Sequence, residues 1–225
     1  MRRMFLCSAL SILLLAFTLI SSAAWAQAAP APAKADDVIS LPKPTTTGGM
    51  ALTEALAHRR SIRSFTATPL TIQELSQLLW AAQGITDPSG KRTAPSAHAQ
   101  YYLKVYALTA DGVFEYLPQG HQLKKLSATD VRQTICSQAQ VKGGAVVLLI
   151  AGDFARAQKN ATAEAAARFV NLEAGHCAQN VLLQATALGL GAVPAGGIEP
   201  DKIQQAVPLP TGFAPIYLIP VGHPK

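Results

Sequence analysis

The chain has 225 residues, of which 49% are apolar, 14% charged and 6% aromatic, with a formal net charge of +6. That length suits one domain with a sizeable core, and so mild a basic excess makes no case for nucleic acid. The three cysteines show no CxxC spacing, which argues against a structural zinc site.

Residues 1–26 read as a removable signal peptide. Arg2 and Arg3 form a positive n-region, Leu10 to Ile20 an apolar h-region, and Ala24-Trp25-Ala26 a small-x-small cleavage site. The apolar run is short for a bilayer span, and Ser21 and Ser22 follow it; a retained membrane anchor is the alternative. Arg2-Arg3-Met4-Phe5-Leu6 resembles the twin-arginine motif without its preceding Ser, so both the secretory and the twin-arginine routes stay open. Cleavage leaves 199 residues with 17 basic and 13 acidic side chains, a net +4, in a periplasmic or secreted protein. Two cysteines remain, Cys136 and Cys177. An oxidising compartment would let them pair, but the apolar helix face around Cys177 favours a buried thiol.

Residues 27–48 are rich in Ala, Pro, Lys and Thr and read as a poorly ordered linker or arm. The domain follows over 49–225. A first helix starts near Gly49 and runs through ALTEALAHRR. Thr71 with Glu74 forms a capping box for IQELSQLLWAAQ, which ends at Gly84. Asp87-Pro88-Ser89-Gly90 is a turn within a loop over 86–100. YYLKVYALT is a strand, Asp111-Gly112 a hairpin turn and VFEYL the return. Ser127 to Ser137 looks helical. AVVLLIAG is a continuous apolar run suited to the centre of a sheet. Residues 161–188 form a long helix, and PIYLIPVGH is the last strand. This order gives an α+β sandwich, with helices around a mainly antiparallel sheet.

Four segments could carry chemistry. Arg59-Arg60-Ser61-Ile62-Arg63-Ser64-Phe65 offers guanidinium forks suited to phosphate, or else a solvated basic helix end. In Arg92-Thr93-Ala94-Pro95-Ser96-Ala97-His98, small residues and a hydroxyl admit a planar ring. Ser96 and His98 lack the G-x-S-x-G elbow of a serine hydrolase. In the long helix, Val170, Ala174, Cys177, Val181 and Ala185 share one face. Gly189 and Gly191 end it, and the loop Pro194-Ala195-Gly196-Gly197 can bring backbone N–H groups up to a flat ligand. Gly189-x-Gly191 follows a helix, so it is not a dinucleotide fingerprint. His223 and Lys225, after the last strand, offer a second phosphate contact. Glu173 and His176 form a single E-x-x-H pair where a di-iron bundle needs two, so a histidine held by local hydrogen bonds is preferred and no metal site is expected.

In register, RRSIRSF, PLTIQELSQLLWAAQGI, RTAPSA, LEAGHCAQNVLLQATALGLGAVPAGG and PIYLIPVGHP resemble the nitroreductase-like flavoprotein family, in particular its SagB-type dehydrogenase branch, over Met50 to Pro224. The resemblance implies a homodimer with FMN at its interface. Arg59, Arg60, Ser61 and Arg63 would hold the phosphate and ribityl chain. Pro95, Ser96 and Ala97 would line the ring or its ribityl arm, and Pro194, Ala195, Gly196 and Gly197 would present N–H groups near N5 and O4. His223 stands where the branch carries Arg, with Lys225 nearby to compensate. His98-Ala99-Gln100-Tyr101-Tyr102 replaces a typical G-A-L-Y-P. Lys159-Asn160 lacks the tyrosine of a Lys-Tyr catalytic pair, so peptide azoline oxidation is not implied. The expected function is an exported FMN-dependent oxidoreductase, working by a ping-pong cycle between an unidentified donor and a small-molecule substrate, with the flavin carrying the chemistry. The alternative is a flavin-binding scaffold without turnover that acts as an electron-transfer or interaction partner.

Overall fold

The computed structural model describes residues 37–225; the segment read as a signal peptide and the first part of the arm lie outside the described residues. The centre is β5 (Val146–Asp153), whose first seven residues are all buried. It pairs antiparallel with β2 (Leu103–Thr109) on one side and with β7 (Phe213–Gly222) on the other. β3 (Gly112–Leu117), β4 (Gln122–Ser127) and β1 (Val38–Ser40) extend the β2 side. The two-residue β6 (Gly191–Ala192) closes the β7 side, giving the order β1-β4-β3-β2-β5-β7-β6. Every strand pair is antiparallel.

Alternation along the central strands makes two cores. Val105, Ala107, Leu148, Ile150 and Ile219 face α2 (Ile72–Gln83) and α5 (Ala163–Ala187). Tyr106, Leu108, Val147, Leu149 and Leu218 face the opposite layer, with Ile135, Val141 of α3 (Ala139–Gly143) and Ile203 of α6 (Pro200–Ala206). Each fully buried Leu, Ile or Val here contributes roughly 1.5–3 kcal/mol. Cys177 belongs to the first core and Cys136 to the second, so the sheet separates them and both are free thiols. The α+β sandwich with its antiparallel sheet is as expected. Among the described residues no helix is long and apolar enough to cross a membrane.

Local chemistry explains the helices. At α2 the Glu74 N–H donates to Thr71 Oγ1 at 3.2 Å and the Thr71 N–H donates back to Glu74 Oε2 at 2.7 Å. Gly84 ends it in extended backbone, where a Cβ would lie 2.2 Å from the Trp80 ring. α5 starts at Thr162, whose hydroxyl accepts from Ala165 N–H, and stops at Gly189, which is left-handed at φ 71°. Gly191 belongs to β6 rather than to the helix exit. The first helix is shorter than its sequence, spanning α1 (Leu52–His58).

Three segments depart from expectation. Ser127–Ser137 is no helix. Asp130 takes the Arg132 N–H and a two-pronged guanidinium pair, Arg132 Nη1 continues to the Gly144 and Ala145 carbonyls, and only one turn forms, at Val131–Ile135. β4 was not anticipated. The arm is not loose from Val38 onward. β1 pairs with β4, Leu41 is buried, and Ser76 Oγ donates to the Pro42 carbonyl at 2.6 Å.

Candidate functional site

The arginine segment is held by its backbone. Ser61 bridges Ala192 of β6, and Ile62 N–H donates to the Ala192 carbonyl at 3.1 Å. Phe65 bridges Pro224, Thr66 N–H donates to the His223 carbonyl at 2.8 Å and Lys225 N–H to the Ser64 carbonyl at 3.2 Å. Gly191 and Gly222 have no side chain because Ile62 and Phe65 occupy that space, at 2.7 and 3.0 Å from a built Cβ. Arg59, Arg60, Ser61, Arg63, His223 and Lys225 thus share one edge of the sheet.

Their side chains divide. Arg60 donates Nη1 to the carbonyls of Ala57 and Arg59, at 3.0 and 2.8 Å, closing the C-terminus of α1. Among the described residues Arg59 and Arg63 form no ion pair within 4 Å; Arg63 has only a long contact to the Ser61 carbonyl at 3.4 Å. His223 turns Nε2 toward Glu74 Oε2, at 3.9 Å.

Pro194–Gly197 lies next along the sheet. Ala195 is buried and exchanges two hydrogen bonds with Leu218, at 2.8 and 3.1 Å. Gly196 and Gly197 are exposed. The Gly197 carbonyl accepts from Gln138 Nε2, but among the described residues neither glycine N–H has an acceptor. A fixed anchor therefore carries two free backbone donors with no side chain in front of them. A built Cβ on Gly196 meets only Tyr217, at 3.5 Å. Donors and cations so placed fit a flat ligand with a phosphate tail.

Pro95, Ser96 and Ala97 are elsewhere. Ser96 Oγ donates to Glu173 Oε2 at 2.6 Å and accepts from Tyr101 N–H at 2.8 Å, and Asn180 Nδ2 donates to the Thr93 carbonyl at 3.1 Å. Ser96 makes no bond to His98. The Glu173 carboxylate also accepts the Tyr102 N–H at 3.2 Å, beside Leu103, which pairs with Gly152 at one end of β5. The arginine segment packs on Gly222, beside Val221, which pairs with Val146 at the other end. Six residue steps along β5 separate the two places, roughly 20 Å at 3.3 Å per residue. One chain does not bring them together.

Glu173 is the residue the sequence undervalued. It is 1% exposed, its Oε1 has no partner, and burial raises its pKa above the ordinary carboxylate value, with Ser96, Tyr102 and Arg92 opposing. Its position three residues after Val170 and four before Cys177, on the apolar face, is the signal that could have found it. His176 is exposed rather than held by local bonds, and among the described residues no His, Cys, Asp or Glu group could hold a metal.

Residues 56–223 match the Nitroreductase family. A Methanocaldococcus jannaschii protein bearing the name nitroreductase is 35% identical over 182 residues, covering 76% of this chain and 90% of its own length. A crystal structure described as a nitroreductase from Ralstonia eutropha JMP134 superposes with a TM-score of 0.80 at 32% identity, over 88% of this chain and 95% of that one. An NADPH:FMN oxidoreductase from Vibrio harveyi, solved with NAD+, shares the fold at a TM-score of 0.57 and 23% identity, over 77% of this chain and 69% of that one.

Proposed function

We propose that this chain, which belongs to the nitroreductase family, is an exported FMN-dependent oxidoreductase of its SagB-type branch. The observation that carries the proposal is the pairing, on one sheet edge, of the unpaired Arg59 and Arg63 side chains with the free Gly196 and Gly197 N–H groups. Arg59 and Arg63 would neutralise the phosphate, with Ser61 and Lys225 beside them, while Arg60 serves the α1 terminus. The Gly196 and Gly197 donors would polarise the ring edge. Bound there, FMN would supply reversible redox chemistry, taking electrons from a donor and delivering them to a small-molecule substrate in a ping-pong cycle.

Homodimerisation belongs to the same proposal. Pro95–Ala97 lies too far along β5 to line the flavin held by its own chain, so a second copy would supply it. Exposed Leu52 and Leu56 on α1, with Ile72 and Leu172, give apolar surface for that contact. The orientation of His223 toward Glu74 favours a second reading, a flavin-binding scaffold that does not turn over.

An absorbance spectrum of the purified mature protein, followed by anaerobic titration with NADH, NADPH and dithionite, tests both. Flavin bands that bleach with a nicotinamide identify a reductase using that donor. Bands that bleach only with dithionite point to another donor, such as a quinol, or to the scaffold. Absence of flavin bands after reconstitution with FMN overturns the proposal.

A further inference from the structure

β2 and β3 share a ladder only from Tyr106–Glu115 to the turn at Thr109–Gly112. On the other side of that point Leu103–Val105 still pairs with β5, and Tyr116 and Leu117 still pair with β4. The sheet parts there, and a cleft of about 350 Å³ opens between its halves. Leu103, Val105, Leu117, Pro118 and Phe213 give it apolar walls. None of the residues assigned to FMN lines this cleft, although Arg92 belongs to the same loop as Pro95–Ala97.

Its charges do not cancel. Lys104 pairs with Glu115. Arg156 lies 3.5 Å from Asp153 and donates Nη2 to the carbonyls of Gln100 and Tyr101 at 2.8 and 2.6 Å. Among the cleft's own lining Arg92 is the cation left over; behind it, outside the lining, the buried Glu173 carboxyl acts on its charge. Among the described residues its guanidinium makes one hydrogen bond, Nη1 to Gln83 Oε1 at 2.9 Å, and no ion pair within 4 Å. Gln83 is 1% exposed, and its amide nitrogen has no oxygen acceptor and rests against the Cys177 thiol.

The loop over this cation is strained. His98, Ala99 and Tyr101 all have left-handed backbones, at φ 53°, 53° and 50°. The strain sets the Tyr101 ring 4.6 Å from the Arg92 guanidinium and its hydroxyl 3.3 Å from the Arg92 N–H. Strain of this kind persists where surrounding structure enforces it, and it collects at ligand clamps.

We propose that the cleft between β2 and β3 binds a small organic anion, a carboxylate on an apolar body, with Arg92 as the anion's partner and Tyr101, Leu117 and Phe213 around the body. Desolvated guanidinium–carboxylate bonds are strong and directional, and the apolar walls exclude a bare inorganic ion as the best fit. The inference does not depend on the flavin reading.

An NMR titration of the isotopically labelled mature protein tests it, using hexanoate as probe and hexanamide as its neutral match, with and without FMN. Saturable shifts at Gln83, Arg92, Tyr101 and Phe213 are expected with hexanoate, and about tenfold weaker binding with hexanamide. Arg92→Gln should lose hexanoate binding while Arg63→Ala keeps it. Leu117→Trp, which fills the cleft and leaves Arg92 in place, should also lose it and decides the matter where Arg92→Gln fails to fold. Equal response to the amide, shifts centred on Arg59–Arg63, or no saturable response overturns the proposal. If FMN fails to bind but hexanoate behaves as described, only the flavin reading falls.

Discussion

Ser96 and Glu173 are 77 positions apart and are joined by a 2.6 Å hydrogen bond from Oγ to Oε2. The bond fastens the loop before β2 to the middle of α5, and the same carboxylate takes the Tyr102 N–H. Glu173→Ala leaves the buried Tyr102 N–H and the half-buried Ser96 hydroxyl without an acceptor and should cost about 2–3 kcal/mol, read by chemical denaturation. Ser96→Ala removes one partner and should cost about 1 kcal/mol. Burial, the largest influence, raises the Glu173 pKa, so the folded state holds this proton more tightly than the unfolded state. The stability contributed by its neutral form is therefore fully present below the ordinary carboxylate value and is lost as pH rises through the folded value. Glu173→Gln retains an oxygen acceptor and removes that slope. The stability of wild type relative to Glu173→Gln should thus fall as pH rises above the ordinary carboxylate value; a flat difference there would show that the carboxyl is already ionised throughout.

Arg59, Arg60 and Arg63 are equivalent in sequence and not in structure. Replacement of Arg59 or Arg63 by Ala should weaken FMN about tenfold to a hundredfold each, the range for a charge-assisted bond, with little change in melting temperature. Arg60→Ala should do the reverse, because its Nη1 holds the Ala57 and Arg59 carbonyls at the end of α1. Fluorescence titration with FMN beside thermal melts separates the two effects. Equal losses of FMN affinity from all three variants would place Arg60 on the phosphate as well.

What could be read in the sequence was local or strongly periodic. Thr71, Glu74 and Gly84 specify both ends of α2 within its own segment, and the apolar run of β5 could only lie centrally. β1 could not be read, because three exposed residues become a strand only when the edge of β4 is there to receive them. The false helix at 127–137 has a similar cause. Arg132 reaches Gly144 and Ala145, and that distant pairing overrides local propensity. At the site, the motifs named the candidate segments but not their grouping. The sequence lists Pro95–Ala97 with Arg59–Arg63, whereas β5 holds them about 20 Å apart.

His121 ties the arm to the domain. Its Nε2 lies 2.7 Å from Ser76 Oγ and 3.1 Å from the Pro42 carbonyl, and its Nδ1 lies 2.8 Å from the Tyr116 hydroxyl. A neutral ring donating from Nε2 to Pro42 and accepting from Tyr116 satisfies this arrangement. Burial lowers its pKa, against an opposing hydrogen bond that it donates to the Pro42 carbonyl. The unfolded chain therefore takes up a proton near pH 6.5 while the folded chain resists, so stability is full above that value and falls as pH drops toward the folded pKa. One proton changes stability by at most about 1.4 kcal/mol per pH unit. Denaturation at pH 7.5 and 5.5 should show that loss in wild type and not in His121→Asn, whose side chain tolerates the left-handed φ of 51°. Equal losses in both proteins would assign the acid sensitivity to other groups.

Gly191 and Gly196 offer opposite tests of the same edge. A Cβ on Gly191 would lie 2.7 Å from Ile62 Cγ2 and 2.9 Å from Ile62 Cβ, inside the segment that carries Ser61 and Arg63. Gly191→Ala should therefore push that segment off β6, costing about 1–3 kcal/mol in stability and lowering FMN affinity with it. Gly196→Ala meets only the Tyr217 ring at 3.5 Å, so the fold should keep its stability within about 0.5 kcal/mol. Its methyl would still stand where a flat ligand must approach the free N–H groups, and FMN affinity should drop without any change in melting. Removing the obstructing side chain, in Gly191→Ala with Ile62→Gly, should restore part of the FMN affinity, while no second change at Ile62 should rescue Gly196→Ala. If Gly196→Ala binds FMN as tightly as wild type, the glycine backbone is not the surface against which the flavin lies.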